Sequence, residues 1–320
     1  MNIKEKINQG IDIGKVHING IFALSPMAGF SDYSYRKICK EYGVDYLVTE
    51  MVSIKGICYD NKNTVELLKM DKSESPIALQ LFGSDPDIMK EAVMKIEHLT
   101  NDIIDINMGC PMPKIFNNGD GSAILNSPDK VYKVVNAAVL NTKKPVTVKI
   151  RSGIVNENAV EISKAIESAG AAAITVHPRT REQYYSGEAK YSVVEDVVNN
   201  VDIPVFLSGD VKDIDSAIKA LNTGCDGIMI GRAARGNPFI FEDLKNYFLY
   251  NKLITKRSML EIKEVILRHA KYIVDIDGDL RKMRKQISFY MSNEYGAANF
   301  RREATKILTL EDLEKLLDNY

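Results

Sequence analysis

The sequence contains no tryptophan, no CxxC pair and no apolar run approaching the ~18 residues of a membrane span. Its four cysteines, Cys39, Cys58, Cys110 and Cys225, lie far apart. That spacing argues against a zinc ribbon and fits free thiols in a reducing cytosol. His17, His98 and His269 have no metal-ligand spacing, and no metal is assigned. Excess charge of either sign is also missing: the net charge is −1, so there is no global nucleic-acid footprint and any basic surface must be local. Residues Met1 to Gly10 are charged and polar rather than an apolar signal region, and the expectation is a soluble, cytoplasmic protein. A GxGxxG turn after the first strand is absent as well, because that turn reads Pro26-Met27-Ala28-Gly29. Its absence weakens a doubly wound open sheet.

What is present is an ordinary globular composition, 45% hydrophobic and 27% charged, in a chain long enough for one large domain plus a smaller one. From residue 21 to about 235 one pattern repeats: a short β-branched run, a polar or Gly-rich loop, then an amphipathic helix. Strands are predicted to begin near Ile21, Asp45, Pro76, Ile103, Pro145, Ala172, Pro204 and Gly227. Helices are predicted over stretches such as Ser31–Tyr42, Pro86–Leu99, Pro128–Leu140, Glu157–Ala169 and Asp213–Leu221, with Ser31, Asp32, Asp85, Ser127 and Asp213 as capping residues. Apolar strands alternating with helices pair in parallel through right-handed crossovers. The fold class is therefore α/β, a (β/α)8 TIM barrel, with a small C-terminal all-helical domain. After Gly236-Asn237-Pro238 the strand pattern stops, and helices are predicted over 239–250, 258–275, 280–292 and 310–317. The domains are placed at 1–238 and 239–320.

In such barrels the active site lies at the C-terminal strand ends. The turn Asn107-Met108-Gly109-Cys110-Pro111 closes the strand-like run from Ile103, so Cys110 stands where a barrel displays chemistry. A buried thiol packed as a small hydrophobe is the competing reading. Strand alternation puts Thr147, Lys149 and Arg151 on the inward face, with Gln80 and His177 inward on their own strands. A lysine in a barrel lumen is costly unless it meets an anion or a cofactor; pairing with Asp105 or Glu50 is the bland alternative. Gln80 satisfying a backbone amide and His177 as a hydrogen-bonded core histidine are its counterparts. Ser208-Gly209-Asp210 and Gly231-Arg232 end strands seven and eight, where barrels bind phosphate through backbone N–H groups. Arg232 adds a bidentate clamp. A phosphate there, with Lys149 and Gln80 across the lumen, is what a flavin mononucleotide needs.

Taken in order, Ser25-Pro26-Met27-Ala28-Gly29, Gln80-Leu81-Phe82-Gly83, Asn107-Met108-Gly109-Cys110-Pro111, Val148-Lys149-Ile150-Arg151, His177-Pro178-Arg179-Thr180-Arg181, Ser208-Gly209-Asp210 and Ile230-Gly231-Arg232 resemble the tRNA-dihydrouridine synthases, in particular their bacterial DusB-like branch. The likeness runs from about residue 12 to 308. It implies a flavoprotein that reduces the C5–C6 bond of particular uridines in tRNA, with tightly bound FMN and with NADPH as electron donor. It implies that Ser25, Pro26, Met27, Gln80, Lys149, His177, Ser208, Gly209, Asp210, Gly231 and Arg232 hold FMN, and that Cys110 is the proton donor. Asn107 and Arg179 are candidates for the uracil edge. Three positions depart from the family pattern. Ser208 replaces a usual asparagine but keeps a hydroxyl and an N–H, Tyr191 stands where tryptophan is common, and Gln286 replaces a histidine.

Between Arg281 and Lys306 the basic residues Arg281, Lys282, Arg284, Lys285, Arg301, Arg302 and Lys306 face only Glu294 and Glu303. Arg281, Arg284 and Lys285 share a helix face by i, i+3, i+4 spacing and are candidate tRNA contacts. Tyr290, Tyr295 and Phe300 are candidate base-stacking residues whose plainer role is the helical core. Two other readings compete: a flavin barrel acting on a free pyrimidine, of dihydroorotate-dehydrogenase type, and a catalytically silent RNA-binding barrel.

Overall fold

The computed structural model describes residues 2–253, 256–292, 294 and 296–320. Eight parallel strands run β1 (Phe22–Leu24), β2 (Tyr46–Val48), β3 (Ile77–Phe82), β4 (Ile103–Met108), β5 (Val146–Gly153), β6 (Ala173–Thr180), β7 (Val205–Ser208) and β8 (Gly227–Ile230). Each pairs with its chain neighbour, and β8 pairs with β1, so the sheet closes into a barrel. A two-residue strand, Val52–Ser53, extends the rim beside β3.

The helices between strands start where the caps dictate. Asp32, Asp85, Ser127 and Asp213 each accept a backbone N–H from the first turn of the helix that follows. Ser31 does not cap: its Oγ bonds the Met27 N–H at 2.8 Å and ties the β1 turn to itself. Helices Ile54–Cys58, Lys62–Leu67 and Ser192–Val198 add to the predicted set. So does an N-terminal helix, Ile3–Gln9, followed by an antiparallel hairpin, Ile11–Ile13 with Val16–Ile18. The hairpin buries Ile11, Ile13 and Ile18 and lies by Pro145, Ala172 and Gly227, where β5, β6 and β8 begin, so it covers the end of the barrel opposite the site.

Beyond residue 238 the described residues are helical: Ile240–Tyr250, Met259–Asp277, Met283–Tyr290, Ala297–Ala304 and Leu310–Asp318. The stretch predicted as one helix over 280–292 begins instead as a 3₁₀ turn, Leu280–Lys282, and becomes α-helical only at Met283. The tail packs on the first barrel helix, Tyr33–Glu41. The Tyr42 and Phe239 rings meet edge to face at 4.7 Å, and the Arg268 guanidinium donates to the Tyr42 hydroxyl at 3.0 Å. Tyr290 and Phe300 are buried in this core, Tyr290 bonding His269 Nδ1 at 3.0 Å; Tyr295 lies outside the described residues. No helix among the described residues is long and apolar enough to cross a membrane.

Candidate active site

The C-terminal strand ends enclose a cavity of about 1220 Å³. Its floor is a chain of polar side chains on the inward faces of β3, β4 and β5. Thr147 Oγ1 donates to Asp105 Oδ1 at 2.6 Å, and Gln80 Nε2 donates to Asp105 Oδ2 at 2.7 Å. Asn107 Nδ2 donates to Gln80 Oε1 at 2.9 Å, while Asn107 Oδ1 accepts the N–H groups of Gly109 and Cys110 at 3.1 and 2.9 Å. One network thus runs from the barrel centre to the backbone of the Cys110 turn. Fixing each amide's donor end forces the next one's acceptor end, so the turn's geometry is set by the lumen.

Cys110 is 8% exposed and lines the cavity. Burial pushes its thiol above the ordinary value, with the Met112 N–H and Arg151 opposing in part, so the group stays protonated at neutral pH. Lys149 is 9% exposed, lines the same cavity, and makes no hydrogen bond or ion pair among the described residues. Asp105, the bland partner, is taken by Thr147 and Gln80 instead. Burial, reinforced by Arg151 and only partly offset by Asp105, pulls Lys149 down to about 8. His177 is pushed well below its usual range by burial and by the cations Lys149, Arg151, Arg179 and Arg232, and is neutral.

Loops after β7 and β8 form the opposite wall with Ser208, Gly209, Asp210, Gly231 and Arg232. Gly209 has φ +146°, a conformation L side chains rarely adopt, and its carbonyl is fixed by the Tyr191 hydroxyl at 2.9 Å. Asp210 is a brace: it accepts from Arg179 through both carboxylate oxygens, at 2.9 and 2.6 Å, from Arg232 at 2.7 Å and from the Ala189 N–H. Ser25, Pro26 and Met27 complete the wall. The Ser25 N–H is bonded to the Ile230 carbonyl and the Met27 N–H to Ser31, so this turn offers surface rather than free backbone donors.

Four predicted site residues, Arg179, Arg281, Arg284 and Lys285, are not on the cavity wall. Arg179 is 2% exposed and off the cavity wall; besides Asp210 it holds the Ser186 and Gly187 carbonyls. Its guanidinium is committed to these partners. Arg281 is folded onto Asp279 at 2.8 and 2.9 Å, and Arg284 donates to the Ile307 carbonyl at 2.9 Å. The α-helical spacing that grouped them fails because Arg281 sits in the tighter 3₁₀ turn. Lys285 alone reaches the rim, its ammonium 4.3 Å from the Phe30 ring beside Gly29.

Two site residues were not singled out from the sequence. Arg151 lines the cavity; strand parity and its place at the end of the Val148–Arg151 motif were its signals. Tyr185, 53% exposed at the mouth, lies under the guanidinium groups of Arg232 and Arg151 at 4.9 and 5.5 Å; nothing in its loop announced it.

The profile of a family described as dihydrouridine synthase (Dus) matches residues 23–320. Among similar proteins, the chain is 34% identical over 303 residues to tRNA-dihydrouridine synthase B of Pseudomonas aeruginosa, covering 93% of this chain and 91% of that protein. It is 32% identical over 316 residues to the protein of the same name from Shewanella oneidensis, covering 97% and 98%. Among solved structures, histamine dehydrogenase from Rhizobium sp. 4-9 superposes with a TM-score of 0.63 at 13% identity, over 85% of this chain and 51% of that one. A DHODH from Eimeria tenella superposes with a TM-score of 0.55 at 12% identity, over 75% and 83%. At such identities these two report the barrel fold and nothing further.

Proposed function

Because the chain belongs to the dihydrouridine synthase family, we propose that it is a flavin-dependent oxidoreductase that reduces the C5–C6 double bond of uridines in tRNA to 5,6-dihydrouridine. The observation that carries the reading is a buried Cys110 thiol sharing one cavity with an unpaired Lys149 and the phosphate-type loops after β7 and β8.

The residues present fit a flavin mononucleotide. Lys149 is a buried cation lacking an anion, Gly209 opens the backbone beside Arg232, and the cavity volume of about 1220 Å³ exceeds the ~300–1,000 Å³ usual for a single small ligand. Lys149 and Gln80 would hold the ring, with His177 and the Ser25–Met27 turn shaping its pocket. Ser208, Gly209, Gly231 and Arg232 would hold the phosphate, and Asp210 keeps Arg232 in place. A flavin held there, tightly bound and reduced by NADPH, would supply the hydride.

The protein's own work is acid catalysis and orientation. Hydride addition at C6 of uracil moves charge toward C5 and O4, and Cys110 gives its proton to C5 on the opposite face. A thiol raised by burial is suited to donate rather than to attack. Asn107 fixes the turn that aims Cys110 and itself lines the cavity, where it would meet the uracil edge. Arg179 acts through Asp210. The target base leaves its stack to enter the barrel, and residues 239–320 form the domain that grips the tRNA body, with Lys285 nearest the mouth. A tRNA substrate makes the cytoplasm its place of work.

The test is direct. Purified protein is expected to show visible flavin absorbance and to convert uridine in unmodified tRNA with NADPH. Colourless protein, or turnover of free orotate or uracil in place of tRNA, overturns the reading.

A further inference from the structure

Among the described residues three arginines line the cavity, and two of them are committed. Arg151 donates to the carbonyls of Gly109, Thr180 and Tyr184, and Arg232 pairs with Asp210 at 2.7 Å. The third, Arg235, makes no hydrogen bond or ion pair among the described residues, and its Nε is buried without a partner. Aromatic rings hold it instead. Its guanidinium carbon lies 4.8 Å from the centre of the Phe289 ring and 5.2 Å from that of Phe30, and the two rings meet edge to face at 5.1 Å. Rings against a guanidinium fix its plane and leave its N–H edge open. Unpaired N–H groups cost free energy, and a filler between two rings does not need the charge.

The place of Arg235 decides what it meets. It follows the 3₁₀ turn Arg232–Ala234 beyond β8 and, with Phe30, lines the cavity where the barrel meets helix Met283–Tyr290. Lys285 reaches the same Phe30 ring from the tail, its ammonium 4.3 Å from the ring centre, and it too has no hydrogen bond or ion pair among the described residues. Glu50, the carboxylate beside Gly29, accepts the Gly29 N–H rather than pairing with either cation. Two cations on one ring, one from each side of the seam, repel each other until an anion arrives. A uridine that leaves its stack to enter the barrel brings such an anion, because it carries a phosphodiester on each side and both stay at the mouth.

Resting on the reaction proposed above, we propose that Arg235 is a specificity-determining residue that binds a phosphodiester flanking the flipped uridine, with Lys285 supplying the second cation from the tail. The phosphate offers two oxygens to the open guanidinium edge, a bidentate match. The stack orders Arg235 before the RNA arrives, so little freedom is lost on binding. The contact positions the strand and reads no sequence. A free pyrimidine carries no such anion, so Arg235 is one reason this cavity takes uridine as part of a strand.

The test removes the charge from either side of the contact. Wild type and R235Q are compared on tRNA carrying one uncharged methylphosphonate, placed 5′ or 3′ of the uridine that is reduced, with the ribose before it 2′-O-methylated in substituted and control RNA alike. On control RNA R235Q is expected to bind about tenfold more weakly, with the slope of log Kd against log salt lower by about one. One of the two methylphosphonates is expected to weaken the wild type by a similar factor and to change R235Q by less than about twofold, as two changes to one contact should. A wild type indifferent to both methylphosphonates, or an R235Q as sensitive to each as the wild type, overturns the assignment. Flavin lost from R235Q, or a raised KM for NADPH in flavin reduction, places Arg235 on another phosphate and also overturns it. If R235Q does not fold, R235L is read in the same way, and loss of fold in both makes Arg235 a brace and overturns it. Wild type that binds tRNA but forms no dihydrouridine sinks the reaction itself, a separate failure because the phosphate arms read binding.

Discussion

Lys149 sets the chemistry of the cavity through the cost of burying its charge without a partnering anion. Burial brings its pKa down to about 8, against 10.5 for a free lysine. In that window the unfolded chain binds the proton that the folded protein has released, so stability rises with pH between about 8 and 10.5. Below pH 8 the full penalty applies, on the order of 3 kcal/mol. Flavin-free Lys149→Met is therefore expected to be more stable than the parent near neutrality, to lose that part of the pH slope in urea unfolding, and to bind flavin poorly. Cys110 is shifted by the same physics in the opposite sense, because burial disfavours its charged form. Thiol ionisation is thus expected to cause no loss of single-turnover uridine reduction between pH 7 and pH 8.5. Both residues were legible from strand parity and the position of the turn. The occupation of Arg179 was not, since its partner Asp210 lies on a different strand end and only the folded barrel brings them together.

The elements followed from local rules wherever those rules acted within one element. Caps at Asp32, Asp85, Ser127 and Asp213, and the eight apolar runs, specified helix starts and strands directly. The hairpin before residue 21 was silent because its strands, of three residues each, are too short to show alternation; its burial comes from the barrel end it covers. Helix Met283–Tyr290 is tied to the first barrel helix by a contact that no periodicity announces: Gln286 Nε2 donates to Asp32 Oδ2 at 2.7 Å. Burial, with Glu50 adding to it and the Tyr35 N–H opposing, raises Asp32 to about 6. The folded state therefore holds this proton more tightly, and the stability Asp32 contributes when protonated is lost as pH rises through 6. At pH 7 the ionised carboxylate depends on Gln286, and Gln286→Leu is expected to cost ~1–3 kcal/mol in urea unfolding. At pH 5, with Asp32 protonated, the cost is expected to be smaller.

At the scale of the molecule, barrel and tail share one apolar core, and the seam between them is tight. Gly236, at φ +66°, leaves the barrel so close to the tail that a Cβ there would lie 2.3 Å from the Phe289 backbone carbon. Gly236→Val is accordingly expected to destabilise the whole chain in a single unfolding transition, rather than release a stable barrel. Exposed cations such as Lys285, Arg301 and Arg302 lie on the tail, and Lys285 stands where the tail meets the cavity mouth. Affinity for tRNA is expected to fall steeply with salt, and a flat dependence counts against this surface. The overall architecture was readable because a (β/α)8 pattern repeats one local unit, whereas the seam depends on contacts between residues more than 200 positions apart, such as Asp32 and Gln286. The central claim is that Cys110 completes the proposed reduction by giving its thiol proton to C5 of the uracil. Cys110→Ala tests it most directly, with flavin content, NADPH oxidation and dihydrouridine measured on one unmodified tRNA. The account predicts flavin and NADPH oxidation retained with most dihydrouridine formation lost; near-normal dihydrouridine formation by the variant would contradict it.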